Sequence, residues 1–470
     1  YGVVLDGGSS HTAVFVYQWP GPKWKGTGVL QQIGVCNIVG KCDIASFYNN
    51  VAGVDAFLTP CLSYASSKVP SASQFNTPIY FGGTAGLRLL KYSQPSATSV
   101  LLDSIRNRLS RSGFRFDWSY VEILSGMDEA QFSWVTVNTQ LMNVGPEHQT
   151  VGALDLGGAS TQLALQVPSG HEVMSGEDDV CNLQLYSQNY SVYSQSSLCY
   201  GVLEVIKRYE SMLIVESGTN GLNVLESPCQ PLGYSTVVKA DIFNSPCSQN
   251  RSTSVKEWTL NGTSNYHQCF ELIERLFNST YCQSHFLPAT CFSNEGQPSL
   301  KNRDFLAFSS FTIITRELNV TNTSSLADFR SAVQSVCTMT LDEILDIPLT
   351  IPNSSFVPLI CLETQYILSL LTSGYGFDDE TWQGLHFVKQ ISGTEVGWSM
   401  GYMTEKTNKI AAAEASLLLA TPVFIALAIL FTLFLIIGFL LSYHAVRMKR
   451  SANSYSRLHH HTYGSLNLSL

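Results

Sequence analysis

The sequence has 470 residues, of which 45% are hydrophobic and 13% are charged, and its formal net charge is −9. This length corresponds to two to four domain-sized units of about 150 residues each. The apolar content excludes a disordered chain, and the acidic balance without a long basic run excludes nucleic acid as a partner.

Two similar segments lie about one domain length apart. Residues 3–17 read VVLDGGSSHTAVFVY and residues 153–167 read ALDLGGASTQLALQV. Each predicts an apolar strand ending in an aspartate (Asp6 or Asp155), a turn rich in glycine and hydroxyl side chains, and a second strand. Two such turns can offer backbone N–H groups to phosphate oxygens, while each aspartate holds a hydrated divalent cation. Two ordinary glycine-containing hairpins are the alternative.

Two further segments predict a strand, a glycine turn and a helix. Residues 77–90 read TPIYFGGTAGLRLL, a pattern that places the amides of a helix N-terminus where an anion can bind. Residues 121–138 read VEILSGMDEAQFSWVTVN and put Asp128 and Glu129 in the first turn of a helix. These two acidic residues either complement the helix dipole or serve the chemistry of a site.

The rest of the chain before residue 415 is less informative. Residues 168–300 are rich in Cys, Asn and Ser and predict loops and helices, whereas residues 305–315 predict a buried strand or helix. Residues 393–403 form a Gly/aromatic segment, and residues 410–414 predict a short Ala-rich stalk.

Residues 415–443 contain no charged residue and are long enough to cross a bilayer core of about 30 Å as a helix. A buried helix of a soluble protein is the alternative, but this segment is apolar on every face. Basic residues follow it at Arg447, Lys449, Arg450 and Arg457. The positive-inside rule therefore places the tail, residues 444–470, in the cytoplasm and the preceding chain outside the cell or in a lumen.

Cysteines and glycosylation sequons agree with this topology. All twelve cysteines precede the apolar segment, without the spacing of a zinc site, and therefore predict disulfides. The sequons begin at Asn189, Asn250, Asn261, Asn278, Asn319, Asn322 and Asn353. We expect Asn467, in the tail, to be unmodified. We also expect a signal or anchor N-terminal to Tyr1, because a translocated domain needs a segment that starts translocation.

No Walker P-loop, G-x-S-x-G elbow or H-E-x-x-H helix occurs, which disfavours the enzymes that depend on them. Hydrolysis of a phosphoanhydride needs anion-binding turns, a cation and a base for the attacking water. Five ordered blocks contain turns and side chains of the types that these roles need: DGGSSHT, GTAGLRLL, GMDEAQFSWVTVN, DLGGASTQ and GWSMGYM. These blocks resemble the five apyrase regions of the ecto-nucleoside triphosphate diphosphohydrolase family, in particular its cell-surface members with two membrane anchors.

The resemblance implies an α/β fold of two actin/hexokinase-like (RNase H-like) domains with a central nucleotide cleft. Residues 1–125 and 389–410 are expected to form the first, discontinuous domain and residues 126–388 the second. A transmembrane helix at 415–443 and a cytoplasmic tail at 444–470 complete the predicted organisation.

The resemblance also assigns roles to single residues. Glu129 is expected to be the general base that takes a proton from the attacking water, and Ser160 and Gln162 are expected to position that water. The residues expected to bind the phosphates are Ser9, Ser10 and His11 in one loop, Gly157, Gly158 and Ala159 in the other, and Thr84, Ala85 and Gly86 facing them.

Ca²⁺ or Mg²⁺ is the implied cofactor. Asp6 and Asp155 are expected to hold it mainly through its bound waters, with Trp398 near that water shell. Such a cation lets an acidic protein bind a polyanionic substrate.

Five disulfides are implied by the family's pattern. They are Cys36–Cys61, Cys199–Cys247, Cys229–Cys269, Cys282–Cys291 and Cys337–Cys361. Cys42 and Cys181 remain, either paired with each other or free.

The chain departs from the family's pattern at several positions. Gly7 stands where alanine is usual, and Ala130 stands where glycine is usual. If a glycine is needed there for a positive φ, alanine costs about 1 kcal/mol or more and shifts the base. Residues 139–151 are about ten residues shorter than in cell-surface relatives. Thr312 and Glu380 occupy the positions where relatives place base-stacking Tyr and Arg.

We therefore expect a plasma-membrane ectoenzyme with an extracellular active site, which hydrolyses ATP, ADP, UTP and UDP to monophosphate and phosphate. One alternative is an endolysosomal or Golgi diphosphatase, which the Tyr455-Ser-Arg-Leu458 motif in the tail favours. Another is a catalytically weak nucleotide-binding ectodomain. Besides nucleotides, the expected partners are the lipid bilayer and a second copy, through membrane helices with Pro422 and nearby small residues.

Overall fold

The computed structural model describes residues 1–38, 43–168, 179–217, 223–249, 254–347, 356–412 and 421–462, with side chains for 422–451 in the last segment. Two compact units divide the chain, Tyr1–Ala412 and Ala413–Leu470. Cys42, Asn250, Asn353, Asn467, residues 413–420 and the side chains of the Tyr455-Ser-Arg-Leu458 motif lie outside the described part.

The strands are β1 (Gly2–Gly7), β2 (Thr12–Gln18), β3 (Gln31–Asn37), β4 (Ile79–Gly83), β5 (Val121–Ile123), β6 (Gly152–Leu156), β7 (Ser160–Val167), β8 (Val180–Leu185), β9 (Gln188–Leu198), β10 (Val224–Ser227), β11 (Ser235–Lys239), β12 (Glu257–Gly262), β13 (Phe305–Ser309), β14 (Leu385–Phe387), β15 (Gln390–Ile391) and β16 (Thr394–Glu395).

The helices are α1 (Val54–Lys68), α2 (Ser71–Gln74), α3 (Ala85–Ser93), α4 (Pro95–Leu109), α5 (Gly126–Gln140), α6 (Val202–Glu216), α7 (Tyr266–Glu274), α8 (Ser279–His285), α9 (Ser310–Glu317), α10 (Leu326–Cys337), α11 (Leu341–Leu345), α12 (Ile360–Ser369), α13 (Trp398–Lys409) and α14 (Thr421–Thr462).

Two sheets with the same internal order dominate the first unit. One has the order β3-β2-β1-β4-β5 and the other β14-β13-β6-β7-β9-β8. In each, the first strand pairs antiparallel with the strand that follows it and parallel with a later one: β1 with β2 and β4, and β6 with β7 and β13. The two similar sequence segments are therefore equivalent hairpins of two equivalent sheets, as predicted.

Buried apolar side chains explain these sheets. β2 and β7 carry buried residues on both faces, so their near-continuous apolar runs are packed on each side. One core cluster lies between the first sheet and helices that include α1 and α4, and a larger cluster joins the second sheet to α6, α7, α10 and α12.

The prediction of loops and helices over residues 168–300 was wrong in part. β8 and β9 extend the second sheet, and β10, β12 and β11 form a separate three-stranded sheet. Their polar surface positions hide the strand pattern: β9 reads QNYSVYSQSSL, and its pairing with β7 stabilises it.

Helices α5 and α13 cross at close range between the two halves. A Cβ atom on Gly401 would lie 1.9 Å from the carbonyl oxygen of Phe132, so only glycine fits at this crossing. The amide of Gly401 also donates to Thr136 Oγ1 at 2.8 Å. Helix α5 is thereby packed closely against α13. The domain boundaries at residues 125 and 388 stay a prediction.

The same five disulfides that the resemblance implies are bonded in the structure. Cys181 is the free cysteine of the described part. The sequon asparagines there, Asn189, Asn261, Asn278, Asn319 and Asn322, are all exposed, as glycosylation requires.

The second unit contains α14. Its residues Pro422–Ser451 are long and apolar enough to cross a membrane.

Candidate active site

A cavity of about 300 Å³ lies where the two equivalent hairpins meet. Its lining includes most of the predicted site residues: Asp6, Ser9, Ser10, His11, Thr84, Ala85, Glu129, Asp155, Gly157, Gly158, Ser160 and Trp398. Gln162 is buried and contacts the lining residues Glu129 and Ser160. Gly86 and Ala159 line a neighbouring groove of about 820 Å³, which shares Ser9 and Gly158 with the cavity.

The two glycine-rich turns approach each other closely. A Cβ atom on Gly158 would lie 2.8 Å from Ser9 Oγ, and one on Gly86 would lie 3.1 Å from Ser9 Cα. Glycine at these two positions therefore leaves room for the first turn, which larger side chains would displace. The arrangement brings both turns beside one shared space, and main-chain N–H groups of such turns suit a phosphate chain.

The N-terminus of α6 supports the second turn from behind. The amides of Val202 and Leu203 donate to the carbonyls of Gly157 and Gly158 at 3.0 and 2.8 Å. These bonds hold the turn's carbonyl groups toward the helix. A Cβ atom on Gly201 would lie 2.2 Å from the amide nitrogen of Ala159, so the helix can approach this closely only with glycine there.

Asp6 and Asp155 occupy equivalent positions in the two hairpins, and the environment disfavours their charge. Burial, followed by the negative charge of Glu129, raises the pKa of Asp155 to about 7. Burial, followed by the charges of Glu129 and Asp155, raises the pKa of Asp6 well above its ordinary value. The like charges of these carboxylates repel each other, and a cation would relieve this repulsion.

These residues fit a hard divalent cation. Asp6 Oδ1 is buried and has no hydrogen-bond partner among the described residues, so it is free to act as an acceptor or ligand. Carboxylate oxygens suit Ca²⁺ and Mg²⁺. In the described part, the three cavity carboxylates do not form a cluster close enough for direct ligation by all of them. A cation held largely through water molecules satisfies both observations.

Trp398 packs beside Asp6 at the start of α13. Its ring fills the space that a side chain at Gly82 would need, because a Cβ atom there would lie 2.4 Å from Trp398 Cη2. Gly82 pairs directly with Asp6 across β1 and β4. A hydrogen bond from Trp398 partly offsets the rise in the pKa of Asp6.

The two acidic residues in the first turn of α5, Asp128 and Glu129, have different contacts. Ser125 caps the helix by accepting from the Asp128 amide at 3.0 Å, and its hydroxyl donates to Asp128 Oδ2 at 2.7 Å. Asp128 therefore serves the helix cap. Glu129 is 7% exposed and faces the cavity, where it forms an ion pair with Arg88 at 2.8 Å.

A hydrogen-bond network surrounds Glu129. Gln162 Nε2 lies 2.6 Å from Ser160 Oγ and 3.3 Å from Glu129 Oε2. Arg88 donates to Ser160 Oγ at 3.0 Å. Gln162 Oε1 is buried without a partner in the described part of the chain. The network fixes three groups around one small space and leaves an acceptor there.

The site contains further residues to which the sequence motifs assign no role. Arg88 belongs to the GTAGLRLL block, but its contacts with Glu129 and Ser160 required the fold. Ser309 ends β13 with φ of 57°, a strained conformation for serine that is typical of functional sites. It lines the cavity and makes a hydrogen bond to Asp155. Lys389 and Glu395 are further lining residues.

The departures from the family's pattern have different outcomes. Ala130 lies inside α5, fully buried and without a positive φ, so alanine strains nothing there. A Cβ atom on Gly7 would lie 2.6 Å from the Phe81 ring, so glycine accommodates that ring. Thr312 lines the cavity, whereas exposed Glu380 is absent from its lining and pairs with Lys301 at 2.7 Å.

The family model for the GDA1/CD39 (nucleoside phosphatase) family matches residues 1–420. The chain belongs to this family. Its predicted membership of the apyrase-type hydrolases is thereby confirmed. All five sequence blocks lie within the matched residues.

Curated relatives and a solved structure agree with the assignment to the GDA1/CD39 family. The chain is 34% identical to ectonucleoside triphosphate diphosphohydrolase 2 of Mus musculus, over 96% of this chain and 91% of the relative. It is 34% identical to ectonucleoside triphosphate diphosphohydrolase 3 of Homo sapiens, over 92% and 83%. A nucleoside triphosphate hydrolase structure from Neospora caninum, at 14% identity, covers 87% of this chain and 92% of its own with a TM-score of 0.61. The predicted actin-like α/β fold is confirmed.

Proposed function

We propose that this GDA1/CD39 family member hydrolyses nucleoside tri- and diphosphates to the monophosphate and inorganic phosphate in the cavity between the two hairpins. The observation that carries the proposal is the placement of Glu129, Ser160 and Gln162 beside two facing glycine turns. The three side chains can activate water, and the two turns can bind phosphates. Relatives named ectonucleoside triphosphate diphosphohydrolases support the substrate class.

The phosphate chain binds between the turns. Main-chain amides of the two turns, at residues 8–10 and 158–159, together with the hydroxyls of Ser9, Ser10 and Thr84, donate hydrogen bonds to its oxygens. His11 borders the same turn with an exposed side chain. Desolvation by the surrounding protein lowers its pKa, while the charge of Glu395 acts in the opposite direction. It therefore serves as a neutral hydrogen-bonding group at neutral pH.

Asp6 and Asp155 would hold Ca²⁺ or Mg²⁺ through its water shell, with Trp398 alongside. When bound, this cation supplies positive charge that offsets the charge of the phosphates and of the cavity carboxylates. Asp6 and Asp155 are then held ionised, and the substrate enters a site that is no longer repulsive.

Three groups can position the attacking water. Ser160 Oγ already accepts hydrogen bonds from Gln162 and Arg88, so both acceptor positions of the hydroxyl are used and its hydrogen is left to donate. Glu129 and the unpartnered Gln162 Oε1 are acceptors. A water that donates to these two and accepts from Ser160 keeps one lone pair for the phosphorus atom.

Glu129 takes the proton as the water attacks the terminal phosphorus. The P–O bond to the remaining nucleotide then breaks, and the leaving phosphate oxygen carries the bond's electrons. General-base catalysis of this kind contributes about 10²–10⁴-fold. The nucleoside diphosphate product is chemically the substrate of a second round, which yields the monophosphate.

We further propose that the protein is a plasma-membrane ectoenzyme, with its active site outside the cell and its C-terminus in the cytoplasm. The apolar α14, the basic residues that follow its apolar part, the five disulfides and the exposed sequons support this topology. The experiment described next also measures the preference for the nucleotide base and the ratio of triphosphate to diphosphate turnover.

The test is phosphate release by intact cells that express the full-length chain, given ATP, ADP, UTP or UDP outside, with Ca²⁺ or Mg²⁺ and then with a chelator. Glu129→Gln should abolish most of the release while nucleotide still binds. Asp128→Asn is the matched control, since it removes the charge of the neighbouring carboxylate, which accepts a hydrogen bond from the N-cap residue Ser125 and does not line the cavity.

Release that depends on the cation and is lost only in Glu129→Gln supports the proposal. Activity that appears only after permeabilisation would favour the intracellular diphosphatase. Nucleotide binding without hydrolysis in either condition would favour the non-catalytic ectodomain and contradict the proposed reaction.

A further inference from the structure

Arg88 connects the two halves of the active site. It lies on α3, which follows β4 of the first sheet, and its side chain is 15% exposed. Its guanidinium donates to Leu124 O at 3.1 Å, to Glu129 Oε2 at 2.8 Å and to Ser160 Oγ at 3.0 Å. Ser160 begins β7 of the second sheet. One rigid fork therefore contacts the residue that follows β5, the base and the water-positioning hydroxyl together.

We propose that Arg88 is a positioning residue for the hydrolysis, which fixes the orientation of both Glu129 and Ser160. This inference rests on the proposed function and deepens it. Arg88 acts through these two residues and has no need to touch the substrate.

The first effect of Arg88 is to make the two oxygens of Glu129 different. The hydrogen bonds that Glu129 accepts from Arg88 and Gln162 both reach Oε2. Among the described residues, Oε1 receives no hydrogen bond, so it is the oxygen available to the water. Without the guanidinium, rotation of the carboxylate would present either oxygen, in more than one direction.

The second effect is on the direction of the Ser160 hydroxyl. Arg88 occupies one of the two acceptor positions of Ser160 Oγ, and Gln162 occupies the other. The hydroxyl hydrogen must therefore point away from both. If Arg88 is removed, a lone pair is freed, and Ser160 can accept from the water instead of donating to it. The water would then lose its aim at the phosphorus atom.

A purely structural ion pair is the competing explanation. Arg108 provides a control, because its side chain is 14% exposed, it pairs with Asp55 at 3.2 Å, and it is not one of the described residues that line the cavity. Loss of Arg108 removes a guanidinium of the same burial and an ion pair from the same half of the molecule. The partners differ, since the side chain of Glu129 is 9% exposed and that of Asp55 is 59% exposed. An effect is therefore attributed to the site only when it is specific to Arg88 and is also reversed by added guanidinium.

The experiment compares wild type, Arg88→Ala, Arg88→Lys and Arg108→Ala as full-length proteins in detergent, measuring kcat and KM for ATP with Ca²⁺ and the melting temperature. Arg88→Ala should lose about 10²-fold in kcat with KM changed less than threefold, because a misplaced catalytic group costs about this much. Added guanidinium should raise the kcat of Arg88→Ala at least tenfold, whereas it should not raise the kcat of Arg108→Ala. The kcat of Arg88→Lys should also be lower than that of wild type, since the point charge of lysine cannot reproduce the planar fork of arginine.

Each other outcome overturns the inference. Unchanged kcat in Arg88→Ala would mean that the other contacts suffice for positioning. A raised KM with unchanged kcat would make Arg88 a substrate-binding residue. A loss of kcat without guanidinium rescue, or an equal loss in Arg108→Ala, would indicate a structural role. If Arg88→Ala fails to fold, Arg88→Lys with wild-type kcat would still refute positioning by the fork. An inactive wild type would refute the proposed function itself, together with this role.

Discussion

Removal of the divalent cation should destabilise the protein more at pH 7.5 than at pH 5.5. The reason is the cluster of buried carboxyls around Asp155, whose pKa burial and then the charge of Glu129 raise to about 7. An aspartate in the unfolded chain titrates near pH ~3.9. Because the folded pKa is the higher one, the contribution of this group is fully present below pH ~4 and is lost as the pH rises to about 7. A bound cation stabilises the ionised form and cancels this loss.

The magnitude follows from the two pKa values of Asp155. Between pH 5.5 and 7.5 the cation-free protein should lose about 2 kcal/mol of unfolding free energy through this residue alone. Asp6, whose pKa is also raised, adds to the loss. An ordinary aspartate would contribute almost nothing in that range, since it is ionised in both states. For a folded unit of about 400 residues, 2 kcal/mol corresponds to a melting-temperature change of about 2 °C.

The assay is thermal unfolding of the detergent-solubilised full-length protein, with saturating Ca²⁺ and with chelator, at both pH values. The measured quantity is the difference between the two melting temperatures, in which groups remote from the cation cancel. This difference should be larger at pH 7.5 by about 2 °C or more, and Asp155→Asn should reduce the increase. An equal difference at both pH values, or a larger one at pH 5.5, would refute the assignment of these carboxyls to the cation.

Three further predictions concern folding and the phosphate turns. Burial raises the pKa of Glu363 to about 8, so its contribution to stability is lost as the pH rises from about 4.5 to 8. Glu363→Gln should therefore raise the unfolding free energy by about 4 kcal/mol at pH 7.5 and hardly at pH 4.5. Urea titrations that show the same change at both pH values would contradict this. Gly201→Ala places a methyl group 2.2 Å from the Ala159 amide and should reduce phosphate release at least tenfold, so an unchanged rate would show that the turn adapts. Replacing Cys199 and Cys247 by serine removes a disulfide bond. The amide of Cys199 donates to Ala159 O in the second turn, so the replacement should lower the melting temperature and raise KM for ATP. A wild-type KM would show that the turn needs no such anchor.

The sequence pattern was sufficient for the two hairpins because each carries its own signal. An apolar strand that ends in an aspartate, followed by a glycine turn and a second apolar strand, is local information, and β1–β2 and β6–β7 follow it. The added strands β8 and β9 have no comparable signal. Their alternation is weakened by Ser, Asn and Gln, and pairing with the buried β7 decides their conformation.

Arg88 shows a different limit. Its block was recognised from the sequence, but a block gives neither distance nor direction. Arg88 and Ser160 are separated by 72 positions; Arg88 lies on α3, which follows β4 of the first sheet, and Ser160 lies on β7 of the second sheet. Their contact depends on how closely the two hairpins approach, and that distance is set by glycines such as Gly158 and Gly86. The role of the arginine is therefore a property of the assembled site.

The choice between Asp128 and Glu129, in contrast, lay within reach of the sequence. Ser125 followed three residues later by Asp128 is the pattern of a helix N-cap, so Asp128 already had a structural role. Each further residue turns about 100° around a helix, and Glu129 is thereby directed away from the cap and into the cavity. Because α5 continues as a buried helix and is packed against α13 at Gly401, this direction is fixed by the whole helix. The proposed base therefore stands on a rigid element, and its one adjustable feature, the rotation of its carboxylate, is the one that Arg88 restrains.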